Sequence, residues 1–67
     1  MNHKDKAKSI YNDYYLMILA YGKGLSQEIT ISILAKKSAL IAVNRILFEL
    51  PKDYKYWEKV KLEIEKL

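Results

Sequence analysis

The fold of this chain depends above all on the segment Ser38-Ala-Leu-Ile-Ala-Val-Asn-Arg-Ile-Leu-Phe-Glu-Leu50. Its apolar side chains cover most of the circumference of a helix, and such a helix is normally buried on several sides. A single thin layer of neighbours would not cover it. We therefore predict that this helix forms the centre of a dimer or tetramer, with an interface made of Ala39, Leu40, Ala42, Val43 and Leu47.

The size of the chain also favours association. Its 67 residues form at most one domain, 1–67, and a chain this short buries only about 60% of the surface that its unfolded form exposes. Small proteins usually gain stability from disulfides, a metal or self-association. The sequence has no cysteine and a single histidine, His3, so we expect no disulfide, no metal site and no cofactor. Self-association is therefore the remaining source of additional stability.

Helix 1 precedes this segment and is predicted over Asp5–Tyr21. Apolar and aromatic side chains recur there at the i, i+4, i+7, i+8 and i+11 positions of one helix face. Gly22 and Gly24 follow, and glycine is the usual residue at the left-handed position that closes a helix. We expect the chain to turn at these glycines.

Helix 2 is predicted from a Ser26 cap to Leu50, where Pro51 ends it. The β-branched residues within Ile29–Ile33 also fit a short strand, so helix and strand both remain open there. Asp53 can cap a third helix, whose apolar stripe is Tyr54, Trp57, Val60, Ile64 and Leu67. The predicted fold class is all-α: a helical hairpin plus a C-terminal helix, assembled into a helical oligomer.

The sequence favours the cytoplasm and argues against catalysis. No run of about 20 apolar residues could span a membrane, and the charged N-terminus carries no signal-peptide core. Without cysteine, and with one terminal histidine, the chain lacks the usual nucleophile systems. The carboxylates are spread along the helices or lie next to lysines. We predict a protein that is not an enzyme.

Six tyrosines exceed what the core of so small a domain requires. Tyr14, Tyr54 and Trp57 lie on the apolar stripes, and we expect them in the core. Three others lie off those stripes and are freer to bind a ligand: Tyr11, Tyr15 and Tyr56. An aromatic face can stack on a nucleobase.

Three polar side chains interrupt the apolar segment on neighbouring sides of helix 2, namely Lys37, Asn44 and Arg45. Their role can be structural, with Arg45 paired to Glu49 one turn later and Asn44 fixing the register of helix packing. It can also be functional, because two copies of the three residues could meet across a two-fold axis and bind an anion. The formal net charge of +4 favours an anionic partner.

A helix-turn-helix is a further possibility, with the turn at residues 22–26. The recognition helix would then begin near Ser26 and present Gln27, Glu28 and Thr30 to DNA before any basic residue. This composition is poor for base recognition, so DNA binding ranks third.

The C-terminal half contains the run Ala35-Lys-Lys-Ser-Ala-Leu-Ile-Ala-Val-Asn-Arg-Ile-Leu47 and the ending Tyr56-Trp-Glu-Lys-Val-Lys-Leu-Glu-Ile-Glu-Lys-Leu67. On these residues, with Lys6-Ala-Lys8 also fitting, the chain resembles a group of short proteins from phages and prophages of Bacteroidota that share an apolar Ala-Leu-Ile-Ala-Val helix. Asn44 and Arg45 stand where these proteins usually carry an acidic pair. The design is also similar to that of helical phage proteins that sequester nucleotides.

The resemblance implies a phage accessory protein of the bacterial cytoplasm that acts in counter-defence. Our first hypothesis is a homo-oligomer that sequesters an anionic cyclic nucleotide at subunit interfaces. The proposed ligand-binding residues are Lys37, Asn44 and Arg45, with Tyr11 or Tyr15 stacking on the base. The alternative is a protein-interaction module that inhibits a host protein.

Overall fold

The described residues of the chain form three α-helices. The computed structural model describes residues 2–22 and 28–67, and within these ranges it contains no strand. The helices are α1 (His3–Tyr21), α2 (Glu28–Glu49) and α3 (Tyr54–Lys66), with one turn of 3-10 helix at Pro51–Asp53 before α3. The all-helical fold predicted from the sequence is confirmed.

Helix α1 begins two residues earlier than predicted because Asn2 caps it. The Asn2 side chain accepts a hydrogen bond of 2.8 Å from the backbone N–H of Asp5, which satisfies one of the free donors at the helix start. The helix ends at Tyr21 as expected, and the N–H of Gly22 donates to the carbonyl of Ile18. Gly22 has a φ of −88°, so the predicted left-handed closure does not occur at this residue; Gly24 lies outside the described residues.

Helix α2 includes the whole of Ile29–Ile33, which resolves the choice between helix and strand in favour of helix. A lone strand would have no sheet to join in this fold. The predicted cap at Ser26 lies outside the described residues. Asp53 stands at the start of α3 as predicted, but its side chain makes no capping hydrogen bond.

All three helices pack against one another around a small core. Its fully buried members are Ala7, Ala39, Val43, Val60 and Ile64. Ala7 and Ala39 have no side chain beyond Cβ, which lets α1 and α2 lie close together. The five side chains come from all three helices, so displacement of any one helix would expose the core to solvent.

Helix α3 is the shortest of the three, with 13 residues against 19 in α1 and 22 in α2. Its first turn lies beside the start of α1, where the rings of His3 and Tyr56 are 5.7 Å apart. The last two turns of α1 expose the apolar side chains Leu16, Met17, Leu19 and Tyr21. None of the helices in residues 2–22 and 28–67 combines the length and apolarity needed to cross a membrane.

Candidate binding surface

Helix α2 has two sides with different surroundings. The inner side buries Ile31, Ala35, Ala39 and Val43, which follow one another at intervals of four residues. The opposite side carries five exposed residues at intervals of three and four, which we call the outer stripe: Leu34, Lys37, Ile41, Asn44 and Phe48. Ile41 is 69% exposed and Phe48 is 89% exposed, so within the described chain nothing covers the apolar members of this stripe.

Two of the five residues predicted for the subunit interface lie inside the protomer. Ala39 and Val43 have no exposed surface and belong to the core between the helices. Leu40 and Leu47 are partly buried against that core, and Ala42 is half-buried. In this fold Ala39 and Val43 cannot touch a second copy. The outer stripe, by contrast, is open to another molecule.

The three predicted anion-binding residues share the exposed side of α2. Lys37 and Asn44 belong to the outer stripe, and Arg45 follows directly after Asn44. The span from Lys37 to Arg45 is about 12 Å along the helix at 1.5 Å per residue. One extended anionic molecule could therefore reach all three side chains.

Arg45 also makes the ion pair predicted for it. Its Nε atom lies 3.8 Å from Oε1 of Glu49, and both side chains are largely in solvent. An exposed pair of this kind stabilises a helix by only about 0.3–0.5 kcal/mol. Arg45 can therefore exchange Glu49 for another carboxylate or a phosphate at little cost.

Tyr11 and Tyr15 do not join these residues in the protomer. The hydroxyl groups of Tyr11 and Ser32 are 2.8 Å apart, and the Tyr11 and Tyr15 rings lie 5.9 Å apart. The two tyrosines line a shallow groove of about 530 Å³ between α1 and α2, together with Asn12, Glu28, Ile29, Ser32 and Ile33. Its one charged residue is Glu28, which disfavours an anion at this place.

The other aromatic residues follow the sequence predictions only in part. Tyr14 and Trp57 pack against the core as expected, but Tyr54 is 46% exposed. Tyr56, expected at the surface, packs against the core, and its ring lies nearly perpendicular to that of Trp57 with the ring centres 5.2 Å apart. The ammonium group of Lys6 lies 5.9 Å from the centre of the Trp57 ring, within the range of a cation–π contact. This aromatic cluster fastens α3 to the start of α1.

Phe48 lies on the same side of α2 as Lys37 and Asn44, but the sequence analysis gave it no role in binding. It is the most exposed large apolar side chain of the described residues, and its ring is free to stack on another molecule. A signal for it exists in the sequence, since Leu34, Ile41 and Phe48 recur every seven residues. The described residues contain no group of three His, Asp or Glu side chains that could hold a metal ion.

No protein-family model matches the chain, and neither a curated protein nor a solved structure matches it.

Proposed function

We propose that this protein acts by binding rather than by catalysis, as a homo-oligomer that holds an anionic, nucleotide-like ligand on the outer face of α2. The observation that carries this proposal is the composition of the outer stripe. Exposed apolar side chains, Ile41 and Phe48, alternate there with Lys37 and Asn44, and Arg45 lies beside them. Such a surface combines an oligomer contact with groups that bind phosphate.

Each polar residue offers a different contact to such a ligand. The ammonium group of Lys37 is a point charge, and the guanidinium group of Arg45 can donate two parallel hydrogen bonds to one phosphate. The side-chain amide of Asn44 can donate or accept. Phe48, one turn beyond Asn44, takes the stacking role that we first assigned to Tyr11 or Tyr15.

The biological role that we propose follows from the sequence resemblance alone. A phage protein that binds a cyclic nucleotide signal of its bacterial host would lower the free concentration of that signal. It would act by depletion, so that one oligomer neutralises a fixed number of ligand molecules.

A second candidate function is the binding of a host protein through the same face. The high exposure of Ile41 and Phe48 favours it, because apolar side chains along one helix face are typical anchors for helix docking. In this case Lys37 and Arg45 would contribute to orientation and binding rate more than to affinity.

Native mass spectrometry tests the first proposal. The protein is measured alone and with cyclic di- and trinucleotides, linear nucleotides and short DNA. We expect an oligomer that gains one fixed ligand mass per interface, and we expect Lys37→Glu and Arg45→Glu to lose the ligand. Lys59→Glu is the matched control, because it makes the same charge change at an exposed position of α3. An oligomer that ignores every nucleotide, or loses binding equally in the control, contradicts the proposal.

A further inference from the structure

We infer that the outer stripe of α2 docks against the same stripe of a second copy, with the two helices antiparallel. In this arrangement Leu34 lies opposite Asn44 of the partner copy, and Lys37 lies opposite Ile41 of the partner copy. The inference deepens the proposed function, on which it rests, by naming the partner, the orientation and the register.

The spacing of the outer stripe indicates another helix as the occupant. Its residues are separated by three, four, three and four positions, which is the repeat that keeps one narrow line of side chains facing a neighbouring helix. Helices α1 and α3 already contact the inner side of α2 through the core. The partner helix must therefore come from another molecule, and a chain of this size has stability to gain from a second copy.

The charges on the stripe favour the antiparallel orientation. A parallel pair would set Lys37 against Lys37 and Asn44 against Asn44, and two like charges facing each other in a contact that excludes water are unfavourable. An antiparallel pair instead places every polar member opposite an apolar member of the partner. It also opposes the two helix dipoles, which is the more favourable arrangement.

The length of α2 selects the register. Pairing Leu34 with Asn44 overlaps the 22 residues of α2 almost completely, and shifting the pair by one heptad would leave a third of each helix uncovered. The same register carries Phe48 to the opposite end of the partner helix. That end exposes Ile29 and Ile33 at 73% and 50%, so one face of the Phe48 ring contacts apolar side chains of the partner copy and the other face is left for a ligand.

The exposed area around the outer stripe is also sufficient for a dimer interface. Each partner in a standard protein interface buries about 800 Å², and the protomer has 5115 Å² of accessible surface. The exposed side chains of the outer stripe, with its neighbours Ile29, Ile33 and Arg45, offer a surface on the order of that requirement.

The pairing gives Lys37 a defined place. The two copies of Lys37 lie two residues on either side of the two-fold axis, so they are four residues, or about 6 Å, apart along the helices. Neither has a carboxylate opposite it in this register, and burying unpaired charge is costly. An anion on the axis would neutralise both, so ligand and dimer are expected to stabilise each other.

Disulfide trapping tests orientation and register, and the natural chain has no cysteine to interfere. Leu34→Cys and Asn44→Cys are each oxidised alone and then as an equimolar mixture, with circular dichroism to verify folding. In the antiparallel register each position is about 15 Å along the helix from its own copy. We therefore expect the mixed disulfide to form at least tenfold faster than either symmetric one. Lys59→Cys, at an exposed position of α3, reports the rate of random collision.

Two outcomes overturn the inference. Rapid symmetric disulfides of Asn44→Cys would mean a parallel pair, and a mixed disulfide no faster than that of Lys59→Cys would mean that the stripes do not meet. The ligand proposal fails separately: a rapid mixed disulfide, together with no nucleotide bound in the mass spectrum, contradicts the ligand and leaves the pairing in place.

Discussion

The hydroxyl group of Tyr11 on α1 lies 2.8 Å from the hydroxyl group of Ser32 on α2, at a partly buried position. The two residues are 21 positions apart in the chain, so this hydrogen bond holds the two arms of the helical hairpin together. It also explains why Tyr11 turns toward α2 instead of presenting its hydroxyl to solvent.

Tyr11→Phe removes this hydrogen bond and leaves the ring in place. We expect the free energy of unfolding to fall by about 0.5–1.5 kcal/mol, which lowers Tm by roughly 4–8 °C per kcal/mol in a domain of this size. Thermal unfolding followed by circular dichroism measures the change. Tyr54→Phe is the control, because Tyr54 is exposed at the start of α3. Equal Tm values for both variants would contradict a stabilising role for the bond.

Ala39→Leu tests whether the small residues of α2 serve the core. Ala39 is completely buried between the helices, and adding three carbons there costs about 1–3 kcal/mol through overpacking. We expect a clear loss of stability, whereas Ala20→Leu, at an exposed position of α1, should leave Tm nearly unchanged. If Ala39→Leu kept its Tm and changed only the oligomeric state, Ala39 would belong to a subunit interface after all.

The helices themselves were predictable from local signals. The apolar spacing of α1 and α3, together with Gly22 and Pro51, fixed the ends of the elements to within about two residues. The β-branched residues in Ile29–Ile33 left helix and strand both open there, and the structure shows helix, with Ile31 buried. Asn2 was missed because its cap lies before the first apolar residue that the periodicity uses.

The side of α2 that faces inward was not predictable from the sequence. Residues of the segment 38–50 are apolar on most of the helix circumference, so both the Ala39 side and the Ile41 side could have faced the protomer core. The inner side is the one with the small residues, because Ala35 and Ala39 let α1 approach closely. The sequence analysis had assigned Ala39 and Val43 to a subunit interface, because a helix that is apolar on most sides was expected at the centre of an oligomer. The exposure of Phe48 follows from the packing of the three helices and could not be inferred from the sequence.

Ile64→Ala tests whether α3 is an essential part of so small a core. Ile64 is completely buried, and truncation of such a side chain costs about 2–5 kcal/mol. In a chain of this size that is a large part of the total stability. We expect urea denaturation to show a much lower midpoint, or loss of the folded state. Leu62→Ala, on the same helix but 56% exposed, should change the midpoint little; equal effects would mean that α3 is not anchored through Ile64.

The central claim is that the outer stripe of α2 joins two copies of this chain, and sedimentation velocity at micromolar concentration tests it most directly. Ile41→Glu places a charge at the middle of the stripe, and Leu16→Glu makes the same type of change at a similarly exposed position of α1. The account predicts a dimer for the natural chain and for Leu16→Glu, and a folded monomer for Ile41→Glu. A folded monomer for the natural chain, or a dimer that Ile41→Glu leaves intact, would contradict it.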